Sequence, residues 1–471
     1  MARLSTLILD RSVRRAGEGR VLVGGSPLVL LRLTDAGAAL IDRIESGGTK
    51  GAEISGGAAT DALVDRLLDG GVVHPVPLQG TLSLGDVTIV IPAYRTPHAT
   101  LVALAEACAG AAQVIVVDDA SPLPIPAVLG ARMVRRSANG GPGRARTTGL
   151  EHVTTTLVAF VDTDVTPPAG WLAGLIGHLD DDRVALVAPR VASGFGSGAL
   201  AGFDAVRSPL DLGPEPARVR AGTRVSYVPS AAVVARVAAI RAVGGFASDM
   251  RVGEDVDLVW RLDEAGWRVR YDPNVVVHHA PRASLRAWLQ QRYEYGTSAS
   301  SLAARHPGAL APVRVSGWSA ISWLAVAVGW PLVGGAVAAT TTGLLVRKLR
   351  SVPDGLRVAL RLAGLGHLYA GRSLAGGLTR AWWPITVGAA LVSRRARRVA
   401  LAAATVPALI DWASSRPRLS PLTYVALRNM DDVAYGAGLW RGAIGARSLD
   451  AIRPDLTSWP KPPRGASQPT A

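Results

Sequence analysis

Two aspartates, Asp162 and Asp164, follow the apolar run of residues 158–161 with one residue between them. Such a run predicts a buried strand, and side chains two positions apart on an extended chain lie on one face. Both carboxylates can therefore approach one hard cation, and a divalent ion held in this way usually completes its shell with substrate phosphate oxygens. Aspartate and threonine are also ordinary turn residues, so the pair alone does not distinguish a metal site from a turn.

Residues 85–280 contain the elements that must position these aspartates. Strand-like and helix-like patterns alternate there, which predicts an α/β domain with a mostly parallel sheet. Open sheets of this kind bind ligands beyond the carboxyl ends of their strands. Polar side chains follow three predicted strands at those ends: Tyr94, Asp118, Asp119, Asp162 and Asp164.

Five motifs follow one another in a fixed order over this region. They are Val-Thr-Ile-Val-Ile-Pro-Ala-Tyr at 87–94, Val-Val-Asp-Asp-Ala-Ser at 116–121, Asn-Gly-Gly-Pro-Gly-Arg-Ala-Arg at 139–146, Phe-Val-Asp-Thr-Asp at 160–164 and Gly-Glu-Asp-Val-Asp at 253–257. This succession resembles the family-2 glycosyltransferases, whose catalytic domain has a GT-A fold. The resemblance implies a nucleotide-sugar donor with a diphosphate leaving group. No G-x-G-x-x-G follows the first strand, which disfavours a dinucleotide-binding dehydrogenase.

The resemblance implies a donor site at the carboxyl edge of the sheet. Asp162 and Asp164 would hold Mg²⁺ or Mn²⁺, which can offset the negative charge that develops on the leaving diphosphate. Either Asp118 or Asp119 would contact the uracil or ribose, and Arg144 would face the base or the diphosphate. The residues implied to line the nucleotide pocket are Pro92, Ala93 and Tyr94.

Glu254 and Asp255 match the family's Glu-Asp motif, at the start of a predicted helix. The resemblance implies that Asp255 is the general base for the acceptor hydroxyl and that Glu254 positions the acceptor. Without the upstream motifs, ordinary first-turn capping would explain both residues. A single displacement by a deprotonated hydroxyl inverts the anomeric centre, so we expect a β-linked product from an α-linked donor.

Two further residues have alternative interpretations. His278 ends a predicted strand where some relatives place a third metal ligand, and a hydrogen-bonded strand-end histidine is the structural alternative. Arg292 can neutralise the leaving diphosphate. Processive relatives carry Gln-x-x-Arg-Trp around this arginine, whereas this chain has Leu289 and Tyr293 at the two ends of the motif. The departure disfavours a processive polymerase.

The front of the chain, residues 1–78, predicts a small winged-helix-like domain. Two strands, a helix from Thr34 or Asp35 to about residue 44 and a second helix over 61–68 precede an extended exit at 72–75. The stretches around 19–27, 31–37 and 67–75 resemble the PqqD-like peptide-recognition domains of ribosomal-peptide pathways. A generic winged-helix accessory domain remains the alternative.

The back of the chain differs in charge and hydropathy. Residues 1–280 carry a net charge of −2 and residues 281–471 carry +17. Apolar runs interleave with the basic residues, which favours an anionic membrane surface over nucleic acid. Residues 315–346 contain no charge, which predicts a kinked span or a re-entrant hairpin, and a buried soluble bundle is the alternative. The segments 381–393 and 399–410, divided by the arginines of 394–398, predict interfacial helices or a marginal second span.

The resulting organisation has four parts: 1–78, a GT-A domain at 84–305, a helical membrane-associated region at 306–455 and a disordered tail at 456–471. The single Cys108 excludes an intrachain disulfide and fits a reducing compartment. A secretory signal is not expected, because no basic segment precedes an apolar one at the start. We therefore expect a cell-membrane location with a cytoplasmic catalytic domain.

The combination of the three regions resembles the glycosyltransferases of mycofactocin systems. That resemblance implies transfer of glucose from UDP-glucose to premycofactocin, a peptide-derived redox cofactor precursor. Two alternatives remain open. One is a cell-wall rhamnosyl- or galactofuranosyltransferase with a lipid-linked acceptor, and the other is a non-catalytic peptide-binding scaffold.

Overall fold

A computed structural model describes residues 5–77, 80–194 and 196–458. The chain forms two compact units. The first contains Met1–Gln291, Ser301–Leu310 and Pro417–Leu419, and the second contains Arg292–Ser300, Ala311–Arg416 and Ser420–Ala471. Most of the predicted disordered tail, 459–471, lies outside the described residues.

The N-terminal part of the first unit contains two small sheets and two helices. Its elements are β1 (Ser5–Leu9), β2 (Arg14–Ala16), β3 (Val21–Gly24), β4 (Val29–Arg32), α1 (Asp35–Ser46), β5 (Ala52–Ile54), α2 (Ala58–Asp69) and β6 (Val73–Val76). The sheets have the orders β5-β1-β6 and β2-β3-β4. Thr34 caps α1 by accepting a hydrogen bond from the Gly37 N–H, as the sequence predicted. The sequence analysis found two of the six strands, because strands of three to five residues are too short for a clear alternation.

The remainder of the first unit is an α/β domain. Its strands are β7 (Val87–Ala93), β8 (Gln113–Asp118), β9 (Ala131–Arg135), β10 (Leu157–Val161), β11 (Val165–Thr166), β12 (Val184–Ser193), β13 (Ala217–Val219), β14 (Ala232–Arg236) and β15 (Arg268–His279). Its helices are α3 (His98–Ala107), α4 (Pro142–Glu151), α5 (Trp171–Ile176), α6 (Gly198–Arg207), α7 (Val237–Ala242), α8 (Glu254–Glu264) and α9 (Leu285–Arg305). Residues Arg292–Ser300 of α9 belong to the second unit.

The sheet of this domain has the order β11-β15-β12-β14-β10-β7-β8-β9, with β13 beside β15. Strands β7 to β10, β12 and β15 run in one direction, and β14 is inserted antiparallel between β10 and β12. The predicted mostly parallel sheet is therefore present, with three strands that run the other way. The carboxyl ends of β7, β8 and β10 meet at one edge, which is where the motif residues lie.

Two hydrophobic layers cover the two faces of this sheet. Val90, Val117 and Phe160 face one layer, whereas the alternate residues of the same strands face the other. Strands that are buried on both faces are continuous runs of apolar residues, which is the pattern that the sequence showed. The second layer also contains Cys108, whose thiol pKa is raised to about 12 by burial.

The second unit is mainly helical. Its elements are β16 (Arg314–Val315), α10 (Gly317–Ala327), α11 (Pro331–Lys348), α12 (Gly355–Gly376), α13 (Trp383–Val392), α14 (Arg394–Ser415), α15 (Pro421–Ala446) and β17 (Asp455–Leu456). Strand β17 pairs in parallel with β16, so the predicted disorder does not begin at residue 456. The arginines of 394–398 start α14 instead of dividing two shorter helices.

The uncharged run of 315–346 forms two helices, α10 and α11, separated at Gly329–Trp330. The Ser322 hydroxyl donates to the Gly334 carbonyl oxygen at 2.7 Å, which ties the two helices together. This pairing agrees with the predicted hairpin rather than with one continuous span. Among the helices of the described residues, none combines the length and the apolar character that crossing a bilayer requires.

Candidate functional site

A short strand places Asp162 and Asp164 at the edge of the sheet. Strand β10 ends at Val161, and the Asp162 N–H donates to the Ala231 carbonyl oxygen at 2.8 Å. The chain then turns into β11, where Val165 is paired with His279 of β15. This pairing holds the intervening loop against the end of β15, so that Asp164 meets a histidine.

Asp164 contacts His279, whereas the sequence analysis selected His278. The Nε2 atom of His279 lies 3.0 Å from Asp164 Oδ2, and Arg282 donates to the same oxygen at 3.5 Å. Burial opposes ionisation, but the hydrogen bond and charge of His279, together with Arg282, hold the pKa of Asp164 below its usual value. Neighbouring residues on a strand point to opposite faces, so His278 and His279 differ in orientation, and metal binding by His278 stays a prediction.

Arg146 connects the aspartate pair to the Glu-Asp motif. Its buried guanidinium donates from Nη2 to Asp162 Oδ1 at 2.6 Å and from Nη1 to Glu254 Oε1 at 2.9 Å. Although burial opposes it, the charges of Asp162 and Glu254 raise the pKa of Arg146 above its usual value. The guanidinium carbon also lies 5.4 Å from the centroid of the Phe246 ring.

Arg144 was the predicted site residue of this motif, and Arg146 was not predicted. Arg146 lies three residues from both Gly143 and Gly149, and all three belong to the buried face of α4. A basic residue on the buried face of a helix was the signal that could have identified it. A side chain at Gly143 would place its Cβ 2.9 Å from Glu254 Cγ, so glycine is what lets α4 approach the motif closely.

Glu254 and Asp255 begin α8, after Gly253 in a left-handed conformation (φ 81°). Burial and the nearby charge of Asp255 raise the pKa of Glu254 to about 7. Asp255 is only partly buried, and its two carboxylate oxygens accept hydrogen bonds from the Val256 N–H at 2.8 Å and the Ser230 N–H at 3.2 Å. Asp255 therefore has a fixed orientation and remains accessible, which a general base requires.

These residues form one carboxylate cluster, defined as Asp162, Asp164, Glu254 and Asp255. Asp162 and Asp164 lie close enough to influence each other's ionisation, and Asp162 and Asp255 both raise the pKa of Glu254. Asp257, in contrast, is fully buried and pairs with Arg261 and His306, which indicates a structural role.

The donor atoms of the cluster fit a hard divalent cation. Burial and the adjacent charge of Asp164 raise the pKa of Asp162 despite its partner Arg146. Two carboxylates that repel each other in this way are stabilised by a shared cation, and oxygen ligands suit Mg²⁺ and Mn²⁺. Among residues 5–77, 80–194 and 196–458, no three His, Cys, Asp or Glu side chains form a complete metal-binding group. A divalent ion held by one or two carboxylates usually takes its other ligands from water and phosphate oxygens.

Asp118 and Asp119 hold the loops at the end of β8. Asp118 accepts from the Ser121 N–H at 2.9 Å and pairs with Arg135. Burial opposes the shift, but the hydrogen bonds from Ser121 and the Arg135 charge lower the pKa of Asp118. Asp119 accepts from the Gly141 N–H at 2.8 Å, which secures the glycine-rich loop.

The other implied donor-site residues differ in accessibility. Pro92 and Ala93 are buried in β7, whereas Tyr94 is 44% exposed with Arg95 beside its ring. Arg144 lies at the surface, where its Nε donates to the Ser248 carbonyl oxygen at 2.7 Å. Contact of these four residues with a nucleotide stays a prediction.

Arg292 is buried in the second unit, where its Nε lies 2.9 Å from Asp431 Oδ1. This ion pair supports a structural role within the helical unit. The contact between Arg292 and the leaving diphosphate stays a prediction.

Comparisons with known proteins identify the family of the chain. The family model described as glycosyl transferase family 2 matches residues 88–239. Pre-mycofactocin glycosyltransferases from two strains of Mycobacterium tuberculosis are each 42% identical over 467 residues, covering 95% of this chain and 97% of theirs. The chain belongs to the pre-mycofactocin glycosyltransferase family. Its core is a GT-A glycosyltransferase domain of family 2.

Solved structures give weaker similarities. A mannosyltransferase from Pyrobaculum calidifontis, solved in complex with GDP-Man and Mn²⁺, is 21% identical with a TM-score of 0.34. That alignment covers 60% of this chain and 87% of the mannosyltransferase.

Proposed function

We propose that this glycosyltransferase transfers glucose from UDP-glucose to a hydroxyl group of premycofactocin. The observation that carries the choice of acceptor is the 42% identity over 95% of the chain to pre-mycofactocin glycosyltransferases. UDP-glucose as the donor rests on the resemblance of the whole chain, since the motifs of the core specify only a nucleotide sugar.

Asp255 is the proposed general base. Its carboxylate, held by the Ser230 and Val256 N–H groups, accepts the proton of the acceptor hydroxyl. The hydroxyl oxygen then forms a bond to the anomeric carbon as the bond from that carbon to the diphosphate breaks. A single displacement of this kind gives a β-linked glucoside from the α-linked donor.

Asp162 and Asp164 are the proposed holders of a divalent cation, which when bound neutralises the diphosphate. Arg146 keeps Asp162 in place and orients Glu254 through its second N–H group. Glu254, which lies next to Asp255 and has a raised pKa, is the proposed hydrogen-bonding partner of the acceptor, since a carboxyl group can serve in either protonation state.

The test is a transfer assay with purified protein, premycofactocin and a divalent metal salt. We expect a product heavier by one hexose with UDP-glucose, no product with UDP-galactofuranose or dTDP-rhamnose, and a β-anomeric proton by NMR. Transfer from either competing donor to a lipid acceptor, with none from UDP-glucose, would favour a cell-wall enzyme instead.

An inactive scaffold is tested by the variant Asp164→Ala. We expect the variant to lose metal-dependent binding of UDP, measured by calorimetry, together with transfer. A variant that behaves as the parent protein in both measurements would support a scaffold without catalysis.

We also propose that the helical unit associates with a membrane from the cytoplasmic side. Large apolar side chains are exposed along α10 to α14, and arginines start α14 and follow α11. Such a combination favours anionic lipid headgroups above an apolar interface. The full chain should float with vesicles containing phosphatidylglycerol and much less with phosphatidylcholine alone. Flotation with neither would contradict the proposal.

A further inference from the structure

The N-terminal domain, residues 5–77, and the glycosyltransferase core have separate hydrophobic interiors. Leu7, Ile41 and Leu67 pack within the N-terminal domain. The sheet of the core buries its apolar side chains in its own two layers. Ion pairs and hydrogen bonds join the domain to the core. Polar interfaces of this kind permit relative motion of the two parts.

The acidic end of α2 carries two carboxylates that need a partner outside their own domain. Asp65 lies in the last turns of α2 and Asp69 is its final residue. The carboxyl terminus of a helix has a partial negative charge, so aspartates there are unfavourable in an isolated domain. Cations of the core compensate them. Asp65 pairs with Arg183, and Asp69 accepts from Arg268 Nε at 2.8 Å.

The core presents an excess of arginine at this place. Arg218 of β13 and Arg268 of β15 are both buried, and both pair with Asp69. Arg270, two residues along β15, is buried and has no hydrogen-bond partner at Nε or Nη1 among the described residues. Burial and the charges of Arg268 and Arg218 lower the pKa of Arg270 to about 9. Such a surface fits an acidic partner.

A second group of contacts fixes the orientation of the domain. Arg224 donates from Nη2 to Asp10 Oδ2 at 3.0 Å, and its backbone N–H donates to the Ser26 hydroxyl at 2.7 Å. Arg11 of the N-terminal domain pairs with Glu215 of the core at 2.9 Å. Contacts at two separate places prevent rotation about either one.

We propose that Arg183, Arg218 and Arg268, which pair with the acidic end of α2, form together with Arg224 an ionic docking surface that reversibly seats the N-terminal domain. The acceptor is used only in the docked arrangement, and this second statement rests on the proposed function. The side chains of Asp65, Asp69 and Arg183 are partly exposed, and ion pairs between exposed groups weaken with ionic strength, so salt should release the domain.

The backbone amide of Arg224 reports docking directly, because its hydrogen bond crosses the interface. We compare the full-length double variant Asp65→Asn/Asp69→Asn with Asp42→Asn/Glu45→Gln. The control removes two carboxylates of the same domain that pair with Arg15 inside it. Hydrogen exchange at Arg224 should be roughly tenfold or more faster in the first variant and unchanged in the control.

Salt provides a measurement that needs no substitution. Exchange at Arg224 in the unmodified protein should accelerate between 0.1 and 1 M NaCl, a range over which the screening length falls from about 10 to about 3 Å. Equal exchange in the two double variants, or no response to salt in the unmodified protein, would overturn the docking surface.

The dependence of transfer on docking is measured separately from hydrogen exchange, by steady-state kinetics with premycofactocin. The first double variant should lose most of its kcat/KM for premycofactocin while slow hydrolysis of UDP-glucose stays as in the control. Unchanged kcat/KM despite faster exchange would overturn the dependence of transfer on docking. A parent protein without transfer to premycofactocin would instead refute the proposed function, and the exchange measurement would still decide docking.

Discussion

Arg146 is the side chain on which the geometry of the carboxylate cluster depends most. One planar guanidinium reaches Asp162 and Glu254 with separate N–H groups, so it fixes the distance between the end of β10 and the start of α8. A lysine ammonium is a single point charge and cannot reproduce this fork. The residue therefore positions two motifs that are distant in sequence.

Substitution of Arg146 should affect turnover more than substitution of Arg144. We expect Arg146→Gln to lower kcat/KM by about 100-fold or more, because small displacements of catalytic groups are costly. Arg146→Lys should recover little of this loss. Steady-state kinetics and thermal denaturation of both variants, beside Arg144→Gln, check the prediction. A larger loss in Arg144→Gln would contradict it.

Glu254 should make stability depend on pH. Its folded-state pKa of about 7 lies above its unfolded value, so the folded state holds a proton that the unfolded state has released. The contribution to stability is therefore lost as the pH rises from about 5 to 8, on the order of 3 kcal/mol. Thermal denaturation of the parent protein and of Glu254→Gln across this pH range measures this loss of stability. The parent should lose stability relative to the variant across this range, and parallel curves would refute it.

At the scale of elements, helix α4 must lie very close to β7. A side chain at Gly149 would overlap Val90, which faces the hydrophobic layer beneath α4. Close approach of the helix is what brings Arg146 to the end of β10.

Gly149→Val should therefore destabilise the core by roughly 1–3 kcal/mol through overpacking. The exposed Gly130, whose added Cβ would meet no atom within 4 Å, lies in a left-handed conformation and is unsuitable as a control. Gly335 in α11 has the same open surroundings without that conformation, so Gly335→Ala should not lower the denaturation midpoint, because alanine also favours a helix over glycine. Equal midpoints for both variants would contradict the packing argument.

The element order of the core could be predicted because apolar strands and their terminal motifs are local patterns. Tyr94, Asp118 and Asp162 follow β7, β8 and β10 as expected. The choice between His278 and His279 could not be made, since it depends on the register of β15 against β11. The contacts of the arginines of the proposed docking surface could not be predicted from the sequence either, because their partners lie more than a hundred residues away.

At the scale of the whole molecule, replacing Arg270 or Arg268 by methionine should have different effects on the melting temperature. Arg268 pairs with Asp69 and Asp181, whereas Arg270 has no ion-pair partner within 4 Å among the described residues. Arg270→Met should leave the melting temperature unchanged or raise it, since it removes an uncompensated buried charge. Arg268→Met should lower it by several degrees, because Asp69 and Asp181 then each lose one of the arginines that pair with them. A large decrease for Arg270→Met would contradict this account.

The lone, deeply buried thiol of Cys108 has a practical consequence. At neutral pH its sulfur is protonated and shielded, so alkylating reagents should leave it untouched in the native protein. Any cysteine introduced at the surface would then be the sole reactive handle. Two dyes could be attached in this way, one on the N-terminal domain and one on the glycosyltransferase core. Single-molecule measurements of the distance between the dyes would then report how often the domain and the core separate during turnover.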